Sequence, residues 1–259
     1  MLGIVFFSTL GFYILVDYAF PQFAVGAVVA WGISAIILVM YLDRKRSEIL
    51  GLENQHREMR SLINLQPLLS DVFLPYSFWA MEPSSMLNVL SVIQYNNYRI
   101  IVECGAGVST LLIGKVLKQM GEGHIYTIED DKHWFNVMTT AIKQNRLNEY
   151  VTIFHAPLGP NTRANELWYD ESVVQEVKDS ISHIDVLLVD GPKSTSAFSR
   201  FPALPMFAPH IDSTSLIILD DTKRYYEKEV IKKWKEHFNL EIEKFDANLR
   251  GQTFIRLKD

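Results

Sequence analysis

The sequence predicts an α/β protein with a doubly wound, mostly parallel seven-stranded sheet, preceded by an N-terminal transmembrane helical hairpin. Three observations carry this reading. Charge is partitioned along the chain: of 55 Asp, Glu, Lys and Arg residues in 259, only Asp17 falls within positions 1–42. Beyond that point charged residues make up about 25%, the ordinary density of a globular body. From residue 99 short apolar runs alternate with helix-period stretches, as parallel strands joined by crossover helices do. Two runs, 184–189 (IDVLLV) and 215–219 (SLIIL), are continuously apolar, as expected of strands covered on both faces.

The totals also exclude classes. With 48% hydrophobic residues and one cysteine, the chain is neither disordered nor a disulfide-stapled secreted module. A net charge of −5 argues against nucleic acid as a partner, since such domains are usually strongly basic. The lone Cys104 suits a reducing compartment.

Residues 23–42 (FAVGAVVAWGISAIILVMYL) are twenty uncharged, mostly apolar positions. As a helix they rise about 30 Å, the thickness of a bilayer core. Residues 2–16 form a second apolar run, which reaches spanning length only with Asp17 placed near a helix end, beside Tyr18 as an interfacial aromatic. Pro21-Gln22 is then the turn of the hairpin. A cleaved signal peptide competes for the first run, but that run lacks a basic leader and a small-x-small cleavage site. One span with an interfacial segment is the other alternative. Gly26, Ala30 and Ser34 form a small-residue stripe that suits homo-oligomer contacts through the membrane helices or the stalk; ordinary membrane-helix composition explains it equally well. Asp43-Arg44-Lys45-Arg46 follows the second run, which places that side in the cytoplasm. The expected organisation is a membrane anchor over 1–42, a helical stalk over 43–66 ended by Pro67, and a catalytic domain over 67–259.

Within that domain the strands expected are 99–103, 124–129, 151–155, 184–189, 215–219, 241–245 and 253–257. Helices are expected over 109–120, 132–146, 171–181 and 226–238. The first strand leads into Glu103-Cys104-Gly105-Ala106-Gly107-Val108-Ser109-Thr110. Glycines at the start of a helix let the backbone turn sharply and approach a ligand. Glu129 ends the next strand, 22 residues past Gly107, where an acid accepts hydrogen bonds from ribose hydroxyls. A nicotinamide cofactor is the rival, but its fingerprint wants a third glycine where this chain has Thr110.

The acidic-x-Gly-x-Gly-x-Ser/Thr segment resembles the first motif of the class I S-adenosylmethionine-dependent methyltransferases, and the resemblance covers about residues 75–259. It implies a Rossmann-like sheet, S-adenosyl-L-methionine as cofactor, and cofactor contacts from Glu103, Gly105, Gly107, Ser109, Glu129, Asp130, Ala156 and Asp190. In that family the segment after the third strand, here His155-Ala156-Pro157-Leu158, flanks the adenine. Read from the residues alone, Asp130 and Asp131 are helix-capping candidates, and Cys104 is a small buried residue of the loop. Trp168-Tyr169 fits an acceptor pocket or the core.

Asp190 ends IDVLLV, and Asp220-Asp221 ends SLIIL. If those strands are neighbours, three carboxylates converge beside the cofactor loop, a set that suits Mg²⁺ or another hard divalent cation. The pattern resembles the metal-dependent O-methyltransferases of the catechol and caffeoyl-CoA type. That resemblance implies metal ligation by Asp190, Asp220 and Asp221, with Asp190 and Lys193 as catalytic residues and Lys193 taking the acceptor proton. The Asp190-Gly191-Pro192 wording is closer to a methyltransferase branch with a DGP motif. Without a metal, Asp190 is a turn residue and Asp221 a cap. Arg200, Lys223 and Arg224 suit either an anionic substrate or a solvated face.

Together these readings describe a membrane-anchored methyltransferase acting on a hydroxyl of a small-molecule, sugar or lipid-linked glycan acceptor at the cytoplasmic side. A nicotinamide-dependent oxidoreductase on the same sheet, or a non-catalytic membrane-anchored scaffold, are the alternatives.

Overall fold

The computed structural model describes residues 10, 12, 14, 17, 18, 24–69, 75, 80–161, 167–196 and 198–258. The chain divides into two compact units, 1–57 and 58–259.

The first unit holds most of helix α1 (Ala24–Leu69). Val29, Ile33, Ile36, Ile37, Leu38 and Met40 are all more than half exposed, and Phe12 stacks on Trp31 with ring centroids 4.8 Å apart. Past Asp43 the helix turns polar, with Arg44 and Lys45 both paired to Glu48 at 3.2 and 2.7 Å. Among the described residues no helix is long and apolar enough to cross a membrane. The expected hairpin is therefore unsupported: most of its first arm and its turn at Pro21 lie outside the described residues. Nor does Pro67 stop α1, which runs to Leu69 with the proline inside it. A proline removes one backbone bond, and within the last turn that loss is felt only where the helix is already ending.

The second unit is built on a seven-stranded sheet. Helix α2 (Pro83–Asn96) leads into it, with proline in its first turn and Asn97 capping it in the left-handed region at φ 59°. Met86, Val89, Leu90 and Ile93 are buried along one face, an i, i+3, i+4, i+7 stripe that marks an amphipathic helix. Then follow β1 (Ile100–Cys104), α3 (Val108–Met120), β2 (His124–Glu129), α4 (Lys132–Gln144) and β3 (Val151–His155). A small antiparallel pair, β4 (Leu158–Pro160) and β5 (Leu167–Tyr169), precedes α5 (Glu171–Asp179). The chain closes with β6 (Val186–Val189), α6 (Ala203–Phe207), β7 (Leu216–Asp220), α7 (Tyr225–His237), β8 (Leu240–Asp246) and β9 (Gln252–Leu257).

The strand order is β3-β2-β1-β6-β7-β9-β8. The first five in that order pair in parallel, while β9 runs antiparallel to both β7 and β8. Successive residues of the central strands enter opposite cores. Leu188 and Ile218 pack with Ile101, Leu111 and Ile113 on one face. Leu187, Val189, Ile217 and Leu219 pack with Trp168, Phe207 and Trp234 on the other. Both faces are covered, which is why these strands read as unbroken apolar runs.

Candidate active site

The strand order reverses at β1, with β2 on one side and β6 on the other. The loops leaving these strands therefore diverge, opening the crevice where α/β sheets take ligands. The glycine loop spans it. Gly105 has φ +95°, and a Cβ placed there would lie 3.0 Å from the backbone nitrogen of Gly191. Reciprocally, a Cβ on Gly191 would lie 2.8 Å from Cα of Gly105 and 2.4 Å from the Tyr169 hydroxyl. The two glycines thus let the turn after β1 and the turn after β6 meet backbone to backbone. Gly107 differs from expectation. It is extended, and a Cβ there would meet only Ser109 Oγ at 3.6 Å. Internal packing does not demand glycine at 107, so the loop presents open backbone at that point, as a closely approaching cofactor requires.

The acids around the loop are engaged with protein. Glu103 is fully buried and accepts hydrogen bonds from the hydroxyls of Ser109 and, at 2.5 Å, Thr110. Thr110 Oγ1 also accepts from the Gly107 N–H at 2.9 Å. The residue in the third-glycine position of a nicotinamide fingerprint is here a brace between loop and strand. Glu103 and Ser109, which the resemblance makes cofactor contacts, are both buried and hydrogen-bonded to each other. Glu129 is 6% exposed. It accepts from the Ala106 N–H at 3.0 Å and the Asp131 N–H at 2.8 Å, and each of its oxygens keeps a further acceptor site. Asp130 beside it is half-buried, while Asp131 caps α4 by accepting from the Trp134 N–H at 2.7 Å. Ala156 is buried, its N–H bonded to the Glu129 carbonyl at 2.9 Å. Trp134 escaped the sequence reading: its indole donates to the Ala106 carbonyl at 2.8 Å, fixing the middle of the loop.

Burial sets the electrostatics. Desolvation raises the carboxyls of Glu103 and Glu129 to about 7, and Asp130 is raised for the same reason. Burial pushes the Cys104 thiol up as well, which fits an unreactive residue. For Glu103 the folded chain binds the proton more tightly than the unfolded chain, whose value is near 4.5. Its contribution to stability is complete below that value and is lost as pH rises through about 7, a loss of about 3 kcal/mol on full ionisation. Glu103→Gln is expected to flatten this dependence, because the Ser109 and Thr110 hydroxyls can rotate to accept from an amide. Urea titrations at pH 5 and pH 8.5 test it: wild type loses more stability between them than the variant.

β6 and β7 pair with Val189 opposite Leu219, which sets Asp190 beside Asp220 as the sequence implied. Asp190, Asp220 and Asp221 each offer an oxygen within 4.8 Å of the others. Asp220 and Asp221 are buried, whereas the Asp190 side chain is 19% exposed and reaches the crevice. Burial raises Asp190 to about 6 against the pull of Arg200, and raises Asp220 further. Asp221 adopts φ 62°, a left-handed turn that aspartate tolerates. The centre of this group is Arg200, which the sequence assigned either to an anionic substrate or to a solvated face and which is 3% exposed. Its Nη2 lies 3.3 Å from both Asp190 Oδ1 and Asp221 Oδ2, and its Nη1 donates to the Asp220 carbonyl at 3.2 Å. Glu227, fully buried, stands 3.8 Å from Nη1 and accepts from Ser194. Arg224 pairs with Asp221 at 2.8 Å, and Lys223 donates to the carbonyls of Ala247 and Asn248. Lys193 is exposed on the loop after β6. Trp168 and Tyr169 are core residues, 0% and 1% exposed.

A cofactor with a ribose is what a parallel sheet with a glycine turn and an acid at its switch point is built to receive. Comparisons with known proteins show what the chain is similar to. Residues 102–222 match the family model described as a methyltransferase domain. Solved structures share the fold: a Podospora anserina methyltransferase bound to S-adenosylhomocysteine is 12% identical at a TM-score of 0.56, covering 83% of this chain and 96% of that one. A Bacillus cereus O-methyltransferase in complex with S-adenosylhomocysteine is 15% identical at 0.52, covering 78% and 91%. A Streptomyces achromogenes O-methyltransferase involved in tomaymycin synthesis, in complex with S-adenosylmethionine, is 10% identical at 0.54, covering 76% and 96%. No curated protein sequence matches. Residues 102–222 thus match a methyltransferase domain, and the sheet that carries them has the fold of these methyltransferases.

Proposed function

We propose that this enzyme methylates a hydroxyl oxygen on a small-molecule, sugar or lipid-linked glycan acceptor, and that residues 1–42 anchor it to a membrane with the catalytic domain on the cytoplasmic side. The observation that carries the reaction is the juxtaposition of the Gly105 turn with the Asp190-Gly191 turn, which sets a partly exposed carboxylate next to the cofactor loop. Two of the O-methyltransferases above share this fold.

When bound, S-adenosylmethionine supplies a sulfonium methyl as electrophile. The backbone at 105–107 seats the cofactor, and Glu129 receives its ribose hydroxyls while its bonds to Ala106 and Asp131 hold the carboxylate still. Asp130 and Ala156 border the adenine side. Glu103 and Ser109 position the loop from beneath. Asp190 would accept the acceptor's hydroxyl proton as the oxygen takes the methyl: the O–H bond and the methyl's bond to sulfur break, the O–CH₃ bond forms, the proton ends on the carboxylate, and the neutral thioether S-adenosylhomocysteine leaves with the sulfur's electron pair. Lys193, to which the resemblance gives this proton, is exposed on the same loop, and its role in this reading is to orient the acceptor.

Asp190→Asn is expected to lower kcat by about 10²–10⁴, the usual worth of a general base, while titrated cofactor affinity changes little. Transfer of labelled methyl to a polyol or glycolipid acceptor is the readout; an unchanged kcat sinks Asp190 as the base. The anchor rests on the uncharged run 23–42, on the exposed apolar side chains of α1 and on the Phe12–Trp31 stack. Full-length protein should resist carbonate extraction from membranes, and deletion of 1–42 should release it; full-length protein in the wash contradicts the anchor.

A further inference from the structure

We infer that the guanidinium of Arg200 is the built-in counter-cation of the Asp190, Asp220 and Asp221 cluster, and that the site operates without a divalent metal ion. The three aspartates are grouped as metal ligands would be. A buried positive charge, however, is already present among them and covalently fixed. Arg200 directs its fork into the cluster and its backbone: Nε to the Pro192 carbonyl at 3.4 Å, Nη1 to the Asp220 carbonyl at 3.2 Å, and Nη2 to the Asp190 carbonyl at 2.5 Å and to two of the three carboxylates. An arginine stays protonated at any working pH, so a divalent ion entering the cluster meets a buried positive charge that cannot leave by titration.

The donor set fits poorly on a second count. Mg²⁺ takes six oxygens and gives up its waters reluctantly, and Ca²⁺ takes six to eight. Asp220 and Asp221 are 2% and 3% exposed, so their carboxylates are shielded from the bulk water that completes such a shell. Only Asp221 Oδ1 is a buried oxygen of the three without a hydrogen-bond partner among the described residues. The residues thus match a guanidinium and do not match a hydrated cation. In place of the metal ligation that the resemblance implies, the cluster ties the loop after β6 to the turn after β7 and leaves Asp190 as its member facing the crevice.

The inference rests on reading this crevice as the methyl-transfer site, but its test reads cation binding, so its failure is distinguishable from failure of that reading. Mn²⁺ alone is titrated into the detergent-solubilised full chain, with free Mn²⁺ followed by electron paramagnetic resonance up to about 1 mM, the range of weak carboxylate sites. The expected result is no stoichiometric binding by wild type. Arg200→Ala, with its charge removed, is expected to gain a melting temperature that rises with added Mn²⁺, a response absent from wild type. Should Arg200→Ala fail to fold, the wild-type titration decides alone. One Mn²⁺ bound per wild-type chain and lost in Asp221→Asn overturns the inference.

Discussion

Arg200→Ala is expected to lower the melting temperature of the catalytic unit by about 10 °C. Removing one partner of a buried ion pair costs about 3–5 kcal/mol, because the other charges stay buried without compensation. A domain of this size shifts by about 2–4 °C per kcal/mol. Here the stranded groups are Asp190, Asp221 and Glu227, together with the Asp190 and Asp220 carbonyls. Arg200→Lys should recover only part of the loss, since an ammonium offers a point charge where the site is shaped for a planar fork. Arg224→Ala is the control: that side chain is 40% exposed, and such pairs are worth about 0–1 kcal/mol. Thermal melts of the three variants read the effect directly, and equal losses from Arg200→Ala and Arg224→Ala contradict the picture of a buried counter-cation.

Gly105→Ala has the second largest expected effect, and it falls on both folding and cofactor. A side chain at φ +95° is strained whatever surrounds it, and here it would also press within 3.0–3.1 Å of the Gly191 backbone. Backbone strain of this kind costs about 1–3 kcal/mol. The neighbour is main chain with no rotamer to yield, so the turn after β6 must shift, and Asp190 with it. Cofactor affinity should fall by about tenfold or more, each tenfold corresponding to about 1.4 kcal/mol. Gly107→Ala separates the two contributions. Its backbone is extended and its Cβ has room, so stability should hold while affinity drops. An affinity loss in neither variant places the cofactor elsewhere.

The sheet was legible because its physics is local. Continuous apolar strands such as VLLV and LIIL, amphipathic helices between them and glycines at the first turn announce a covered parallel sheet, and the boundaries moved by only a residue or two at most elements. Helix α2 was equally legible in its Met86, Val89, Leu90 and Ile93 stripe, yet it lies before the first motif and was passed over. The β4–β5 pair was missed because its strands are three residues each, too short for any period to show. At the site, the convergence of Asp190 with Asp220 followed from strand adjacency, which alternation alone implies. What the sequence withheld was direction. Nothing local says that Glu103 points beneath its loop toward Ser109 and Thr110, or that Thr110 replaces a glycine in order to brace it. Arg200 is the sharpest case. Its partners lie 10, 21 and 27 positions away along the chain, so only the fold brings them together. One signal was present: it sits in Phe198-Ser199-Arg200-Phe201-Pro202, an arginine among apolar residues with no acid nearby to make it a surface pair.

The central claim is that the turn after β1 and Glu129 hold the cofactor of a methyltransferase. Isothermal titration of S-adenosylhomocysteine into the full chain tests it most directly, with Glu129→Ala as the companion. That substitution removes both the ribose acceptor and the bond that steadies Ala106. One ligand is expected to bind per chain, with an affinity at least about tenfold weaker in the variant, as loss of a charged hydrogen-bonding group implies. Absence of binding, or binding that Glu129→Ala leaves unchanged, would contradict it.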